Sequence, residues 1–491
     1  IRHEGAASFA ASAYGKLTGK PAACFSIAGP GATNLYTGLW DAKNDRAPLL
    51  ALTGQVATQV VGTENFQEVD LVAAFESVAH FNHRVLANSK HAELMVLAIK
   101  QAILNRDVSH LTFPDEVQVI KAPEKAQPAS LEQRLTSQKI IPPIESTKQA
   151  LHLLKEAKRP VIIMGHGARF HKEKVIELAE MFQAPVLTTF KGKGLIPDHH
   201  PLGCGVLGRS GTPIASWFMN EADLLCVFGA SFSNHTGITP KIPTIQVDYD
   251  PLALAKFHKI DVPVWGEISA TIDIFIEALK DESLQAQDQR EEIATRWKLW
   301  MDEKENRLKD DHGKGLSSIA VFDAMNRLVP EDAVITVDVG NNAYSLGRYF
   351  ESKQHDFIMS GYLGSIGFAF PAALGAWAAV GDSRPVIAVA GDGGFCQYLA
   401  ELTTAVKYKM PIKLILLNNS ELGKISKEQR SGEFDVWATS LSNPHFADYA
   451  KGCGALGIRV TERSELDKAM QEVLAHPGPA LLEVITDVAL I

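Results

Sequence analysis

The sequence predicts an α/β protein that consists of three doubly wound, parallel-sheet domains. Short, continuous apolar runs rich in branched residues recur along the chain, and such runs are typical of buried parallel strands. Helical patterns separate these runs, and this alternation indicates parallel β-α-β units. The length of 491 residues allows about three domains of roughly 150 residues each.

The first unit is predicted at residues 1–121. It alternates a helix at 5–17, a strand at 22–27 and, after a further helix, a strand at 48–53. Because the chain opens in a helical pattern without a preceding strand, we expect the N-terminal part of this unit to be missing. The polar, proline-containing stretch 122–143 is predicted as a linker.

The second unit is predicted at 144–282 and the third at 315–491, with a highly charged connecting helix or linker at 283–314. On that helix Trp297 and Trp300 mark an apolar side, which we expect to pack on its neighbours. The strands expected in the two units are 160–164, 185–189, 224–228 and 244–247, then 333–337, 386–390, 412–417 and 480–485.

Composition and charge exclude several classes of partner. The formal net charge is −9 and the two signs are interspersed, so no basic face points to nucleic acid. No apolar run approaches the roughly 18 residues of a membrane span, and we expect no membrane segment. Five scattered cysteines without a Cys-x-x-Cys pair predict reduced thiols in a cytoplasmic protein.

Two neighbouring strands of the third unit end in polar residues with a spacing that suits phosphate and metal. Gly391, Asp392, Gly393 and Gly394 follow one strand, and Asn419 follows the next. The glycines let the backbone approach phosphate oxygens and present N–H groups at the start of a helix. Asp392 and Asn419 offer hard oxygen ligands of the kind that Mg²⁺ takes beside substrate phosphates. Ligands bind beyond the carboxyl ends of strands in such sheets.

This paired motif resembles the signature of the thiamine diphosphate superfamily, and the chain resembles its pyruvate oxidase and acetolactate synthase family over nearly all 491 residues. The resemblance implies that the three units are a pyrimidine-binding, a central flavin- or nucleotide-type and a diphosphate-binding domain. It also implies that Asp392, Asn419 and the main-chain carbonyl of Glu421 hold Mg²⁺.

The same resemblance implies roles for residues around the thiamine ring system. Glu4, in a segment similar to the family's glutamate motif, would hydrogen-bond the aminopyrimidine ring and so help to remove the C2 proton. Without that context, a glutamate at a helix start is a favourable first-turn charge. Ile366 would hold the cofactor in a bent shape, and the Gly364 carbonyl would accept a hydrogen bond from the amino group of the cofactor. The remaining implied cofactor contacts are Asn341, Asn342, Gly423 and Ile425.

Two segments bear on the substrate. Phe66 and Gln67 resemble a Phe-Gln pair of the family in which the glutamine faces the reacting carbons. Glu428 stands where phosphate-dependent pyruvate oxidases carry glutamate and acetolactate synthases carry tryptophan, which favours an oxidase. Lys424 replaces an aromatic or apolar residue and is either a ligand for a substrate carboxylate or phosphate or a solvated lysine.

The middle unit of this family holds FAD in the oxidases and synthases, and ADP or nothing in plain decarboxylases. Asp248, at a strand end, would suit a ribose hydroxyl. Several stretches resemble flavin-binding stretches of those enzymes and favour FAD. Their candidate residues are Gly165, Thr189, Phe190, Lys191 and Gly208.

Taken with these motifs, the resemblance implies decarboxylation of a 2-oxo acid such as pyruvate, with thiamine diphosphate, Mg²⁺ and electron transfer to FAD. The alternatives are an acetolactate synthase-like carboligase that joins two 2-oxo acids and a flavin-free decarboxylase or lyase. A catalytically silent, nucleotide-binding relative is disfavoured because Glu4, Asp392 and Asn419 are retained. Since the family builds its site between subunits, we expect a homodimer or homotetramer.

Overall fold

The computed structural model describes residues 1–122, 124, 130–233 and 235–490, so part of the predicted linker 122–143 lies outside the described residues. Three separate parallel sheets follow one another along the chain. The predicted fold class, three doubly wound parallel-sheet domains, is confirmed.

The first sheet has the strand order β1-β2-β4-β3. Its strands are β1 (Ala22–Ser26), β2 (Leu49–Gln55), β3 (Phe81–Arg84) and β4 (Val108–Pro114). The helices around it are α1 (Glu4–Thr18), α2 (Pro30–Asn34), α3 (Tyr36–Asn44), α4 (Leu71–Phe75), α5 (His91–Asn105) and α6 (Asp115–Gln118). Strand β3 was not predicted, because it is a short edge strand whose residues are mostly polar and only partly buried.

The second sheet has six strands in the order β10-β9-β8-β5-β6-β7. Its strands are β5 (Pro160–Met164), β6 (Val186–Thr188), β7 (Gly203–Val206), β8 (Leu224–Phe228), β9 (Thr244–Asp248) and β10 (Val262–Trp265). The helices are α7 (Ile144–Glu156), α8 (Lys172–Phe182), α9 (Pro213–Glu221), α10 (Ile268–Leu279) and, after the sheet, α11 (Arg290–Arg307).

The third sheet has six strands in the order β12-β11-β13-β14-β16-β15. Its strands are β11 (Val334–Val337), β12 (Asp356–Met359), β13 (Val386–Gly391), β14 (Lys413–Asn418), β15 (Leu456–Val460) and β16 (Ala480–Ile485). Its helices are α12 (Ser318–Leu328), α13 (Asn341–Tyr349), α14 (Ala369–Val380), α15 (Asp392–Gln397), α16 (Leu402–Lys407), α17 (Gly423–Ser431), α18 (Phe446–Gly452) and α19 (Arg463–Ala475).

Helix α1 of the first unit packs directly on α14 of the third. A Cβ placed on Gly375 would lie 1.9 Å from the carbonyl oxygen of Ala10, so only glycine permits this approach. Phe9 meets Phe368 edge to face at 5.4 Å between ring centroids, inside a shared apolar cluster. These contacts fix the start of α1 relative to the third sheet.

The connecting helix α11 packs on its neighbours, as its apolar side predicted. The Trp300 ring is buried and stacks on Tyr349 of α13 at 6.0 Å, and the Trp297 indole donates to the Gly203 carbonyl at 2.8 Å. No helix within the described ranges is both long enough and apolar enough to cross a membrane. The five cysteines are all unpaired.

Candidate active site

The carboxyl ends of β13 and β14 bring polar side chains to one edge of the third sheet. Gly391 pairs with Leu417, so Asp392 and Asn418 come next at the same level. The Asn443 amide donates to Asp392 Oδ2 at 2.6 Å and to Asn418 Oδ1 at 3.0 Å. Asn443 therefore holds the two strand ends together.

Asp392 is suited to a cation. Burial raises the pKa of its carboxyl, and the Asn443 amide and the Gly393 N–H act in the opposite direction, as a bound cation would. Asn419 Oδ1 accepts the Glu421 N–H at 3.0 Å. The part of the chain that the structure describes contains no group of three or more His, Cys, Asp or Glu side chains suited to a metal. The predicted Mg²⁺ set does not need one, since it combines one carboxylate with an amide and a carbonyl.

The start of α17 forms a cradle with two side-chain amides. A Cβ on Gly423 would lie 2.8 Å from Asn341 Nδ2 and 3.2 Å from Asn419 Nδ2. Asn341 Nδ2 is buried and, among the described residues, has no hydrogen-bond acceptor. Asn342 differs, because its amide donates to the Asp338 carbonyl at 2.9 Å. A buried donor without an acceptor, beside a glycine, fits the oxygens of a diphosphate.

Asp338 is a buried carboxyl behind this edge. It accepts the Val339 N–H at 2.8 Å and the Gly367 N–H at 2.9 Å. Burial raises the pKa of Asp338 to about 7. A Cβ on Gly394 would lie 2.4 Å from Asp338 Oδ2, so Gly394 makes room for this carboxyl. Asp338 thereby ties the segment before α14 to the start of α15.

The loop before α14 carries the residues expected to clamp the pyrimidine. Gly364 adopts φ +69°, which favours glycine, and its missing side chain would face open space. Ile366 is half-buried two residues later. The Gly361 and Tyr362 N–H groups donate to the Asp45 carboxylate at 2.9 and 3.2 Å. A side chain of the first unit therefore anchors this loop.

Asp45 belongs to a buried charge network that joins all three units. Lys16 Nζ lies 2.8 Å and Lys191 Nζ 2.6 Å from its carboxylate. Lys16 also contacts Asp41 at 2.6 Å and donates to the Met359 carbonyl at 2.8 Å. Burial works to raise the pKa of Asp45, but Lys16 and Lys191 outweigh it and hold that pKa well below its ordinary value.

Glu4, Phe66 and Gln67 lie together on the first unit. Asn34 donates to Glu4 Oε2 at 3.0 Å, and Glu4 Oε1 lies 3.1 Å from the Cβ position of Gly31. Gln67 adopts φ +61° and packs against the glycine turn before α2, while the Phe66 ring is 82% exposed. These contacts of the Glu4 carboxylate, with Asn34 and Gly31, lie within its own unit.

A second carboxylate holds the start of α1. Glu401 is fully buried, and its Oε1 accepts the N–H groups of Arg2 at 2.6 Å and His3 at 2.9 Å. Thr404 donates to its other oxygen at 2.7 Å. Glu401 of the third unit therefore fixes the turn that presents Glu4.

Lys424 and Glu428 form an ion pair at 2.6 Å on one face of α17. The Lys424 ammonium lies 5.3 Å from the centre of the Tyr344 ring. Ile425 is 47% exposed. The Lys424 charge is therefore partly satisfied by Glu428 rather than fully solvated.

A cavity of about 430 Å³ lies where the three units meet. Four of the predicted nucleotide-binding residues line it: Thr189, Phe190, Lys191 and Asp248. The other two do not. A Cβ on Gly165 would lie 2.3 Å from the Gly229 carbonyl, and one on Gly208 would lie 2.2 Å from the His235 carbonyl, so both glycines permit close backbone packing.

Two half-buried arginines, Arg106 and Arg169, also line the cavity. Arg169 donates to the carbonyls of Lys16 at 2.9 Å and His166 at 3.1 Å. Burial, together with the nearby Arg106, lowers the pKa of Arg169 to about 9. Among the described residues neither arginine has a carboxylate within 4.0 Å. Such a pair favours an anionic ligand.

Sequence reasoning missed Asn443, Asp45, Glu401, Arg106 and Arg169. None of them belongs to a strand-end motif, and each acts through contacts with residues distant in the chain. Asp45 ends α3 directly before a predicted strand, but nothing local reveals its bonds to residues 361 and 362. Asn443 lies in a loop without a recognisable pattern.

The fold and this site define a thiamine pyrophosphate enzyme, and the chain belongs to that family. Residues 338–484 match the C-terminal TPP-binding domain of thiamine pyrophosphate enzymes, residues 147–275 match the central domain, and residues 1–74 match the N-terminal TPP-binding domain.

Curated relatives with similar sequences match almost the whole chain. The chain is 35% identical to the thiamine pyrophosphate-containing protein YdaP of Bacillus subtilis (strain 168), over 99% of this chain and 83% of that protein. It is 31% identical to the acetolactate synthase isozyme 1 large subunit of Escherichia coli (strain K12), over 99% and 86%. It is also 31% identical to the chloroplastic acetolactate synthase 2 of Nicotiana tabacum, over 99% and 75%.

Proposed function

We propose that this chain is a thiamine diphosphate- and Mg²⁺-dependent carboligase that joins two 2-oxo acids, with pyruvate as the donor. Several relatives are acetolactate synthases, which supports carboligation over the pyruvate oxidase reading that Glu428 favoured. The main support for the thiamine diphosphate site is that the Asn341 and Asn419 amides converge on Gly423, beside Asp392.

The residues present fit the cofactor. Asp392, Asn419 and the Glu421 carbonyl would hold Mg²⁺, and Asn341 with the backbone of Gly423 would bind the diphosphate. The bound thiazolium supplies an electron sink for the bond to the departing carboxylate. Other proposed contacts, to the diphosphate or to the ring system, are Gly391, Gly393, Gly394, Asn342, Gly364, Ile366 and Ile425.

The protein's own chemistry is proton handling. Glu4 would hold a proton at the aminopyrimidine ring nitrogen and so help a base to form near C2. Asn34, which donates to Glu4 Oε2, fixes the orientation of the carboxylate. Gln67 and Phe66 would face the reacting carbons from the same unit.

Since Glu4 makes its contacts within the first unit, we propose that it serves a cofactor bound by a second copy of the chain, in a homodimer or homotetramer. The exposed rings of Phe66 (82%), Phe434 (72%) and Trp437 (79%) support such a contact. Sedimentation of the full chain with thiamine diphosphate would test this, and a monomer that retains turnover would contradict it.

We further propose that the central cavity holds FAD, with Asp248 toward a ribose and Arg106 and Arg169 toward phosphates. The cavity volume, about 430 Å³, and the two unpaired cations support a nucleotide. Gly165 and Gly208 would act by close backbone packing. An absorbance spectrum of the purified protein tests this: a flavin band is expected, and its absence leaves ADP or an empty cavity.

Glu428 supports a second candidate, a pyruvate oxidase or dehydrogenase. An anaerobic spectrum after addition of pyruvate separates the two functions. The carboligase leaves any flavin band unbleached, whereas an oxidase bleaches it.

Asp392→Ala tests the metal site. We expect loss of Mg²⁺-dependent thiamine diphosphate binding with unchanged folding, while Asp332→Ala, an exposed acid in the same unit, retains binding. Unchanged binding in Asp392→Ala would refute the assignment. Glu4→Gln should keep the cofactor but lose most exchange of the C2 proton.

A further inference from the structure

A small groove lies between α13 and α17, beside the diphosphate-binding residues. Its volume is about 180 Å³. Its lining consists of Arg209, Asn341, Tyr344, Ser345, Arg348, Lys424 and Lys427. Four of these seven side chains are cationic and none is acidic, which sets this groove apart from an ordinary solvated surface.

Helix geometry explains the convergence of these side chains. Asn341, Tyr344 and Arg348 are spaced at i, i+3 and i+7 and therefore share one face of α13. Lys424 and Lys427 are three residues apart and share one face of α17. The groove is thus lined mainly by two helices.

The positive charge of the groove is only partly balanced. Lys424 is paired with Glu428, whose pKa is lowered first by Lys424 and further by Arg209. Neither Arg209, Arg348 nor Lys427 has a carboxylate within 4.0 Å among the described residues. Cations held this close repel one another, and a bound anion would relieve that repulsion.

One of these cations is held in a fixed position. Arg348 donates to the carbonyls of Arg209 at 3.0 Å and Gly211 at 3.4 Å. Asn341, whose buried amide is proposed to bind the diphosphate, lines the same groove and so borders both sites. The groove itself therefore offers a positioned guanidinium.

We propose that this groove binds a small oxyanion, of phosphate or carboxylate chemistry, while thiamine diphosphate fills the neighbouring site. Guanidinium groups match both oxyanions in geometry. A volume of about 180 Å³ is too small for a nucleotide, since pockets for larger ligands span roughly 300–1,000 Å³. The oxyanion is either free or the distal group of a 2-oxo acid.

The test is a calorimetric titration of inorganic phosphate into the full chain saturated with thiamine diphosphate and Mg²⁺. We expect one site, weakened at least about tenfold in the double variant Arg209→Gln/Lys427→Gln. Both side chains are exposed, so the variant should fold. The matched control is Lys298→Gln/Lys468→Gln, which removes two exposed lysines elsewhere and should bind phosphate as the wild type does.

Competition identifies the source of the oxyanion. Displacement of phosphate by 2-oxoglutarate but not by 2-oxopentanoate assigns the groove to the distal carboxylate of a substrate, and displacement by neither assigns it to free phosphate. Phosphate binding that is equal in the two double variants, or that competes with thiamine diphosphate, would overturn the proposal. A chain that binds phosphate but not thiamine diphosphate would refute only the proposed function.

Discussion

The Asp45 carboxylate accepts the backbone N–H of Gly361 at 2.9 Å, so a fully buried charge of the first unit anchors a loop of the third. That loop carries Gly364 and Ile366, the residues proposed to clamp the pyrimidine. The same carboxylate binds Lys191, which lines the central cavity. The geometry of the thiamine site therefore depends on a residue outside every motif.

Asp45→Asn should weaken thiamine diphosphate binding about tenfold and destabilise the protein. The variant leaves Lys191, whose side chain is mostly shielded from solvent, without an opposite charge, and breaking a buried pair costs about 3–5 kcal/mol. The measurements are calorimetric binding and thermal unfolding. Asp107→Asn, which removes a longer ion pair of 3.9 Å with Lys43, is the control and should change binding little. Equal cofactor affinity in both variants would contradict the anchoring role.

Asn443→Ala should lower the Mg²⁺-dependent affinity for thiamine diphosphate at least about tenfold. The variant removes the amide that joins Asp392 to Asn418, and a hydrogen bond to a charged group such as the Asp392 carboxylate contributes about 1.5–3 kcal/mol. Titration of Mg²⁺ at a fixed concentration of thiamine diphosphate measures this affinity. Asn105→Ala, whose exposed amide contacts only its own helix, should have no effect.

Glu401→Ala should slow hydrogen exchange at C2 of bound thiamine diphosphate about tenfold while its affinity changes little. The reason is that Glu401 fixes the turn before Glu4. NMR measures the exchange. Glu401→Gln retains one carbonyl acceptor for those N–H groups and should recover most of the rate. Wild-type exchange in Glu401→Ala would remove Glu401 from this role.

The raised pKa of Asp338 predicts that the stability of the fold depends on pH. Its pKa is about 7 in the folded state, against about 3.9 in an unfolded chain. Between these values only the folded state holds the proton, so this contribution is present at low pH and is lost as the pH rises through about 7. Asp338→Asn is neutral throughout. Its Tm relative to wild type should therefore rise from pH 5 to pH 8, and a constant difference would contradict the assignment.

The fold was predictable because the sheet centres are continuous apolar runs. The runs predicted at 160–164, 224–228, 386–390 and 480–485 all form central or buried strands. The edge strands β3 and β12 were missed, since both are short and only partly buried and pair on one side only. The domain limits 1–121, 144–282 and 315–491 remain predictions.

Site residues were predictable only where polar residues follow the end of a strand directly. Asp392 and Asn419 come directly after β13 and β14, and register alone brings them to one edge. Asp45 and Glu401 could not be found this way, because the N–H groups that they accept at Gly361 and His3 belong to another unit. Those contacts exist only once the first and third units pack together, as α1 and α14 do. Local pattern carries no information about that packing.

Product analysis with ¹³C-labelled pyruvate, thiamine diphosphate and Mg²⁺ tests the carboligase claim most directly. NMR should show two pyruvate molecules consumed for each carbon dioxide released, with acetolactate as the new carbon–carbon product. One carbon dioxide for each pyruvate, with acetate or acetyl phosphate and a bleached flavin, would contradict carboligation and identify an oxidase instead.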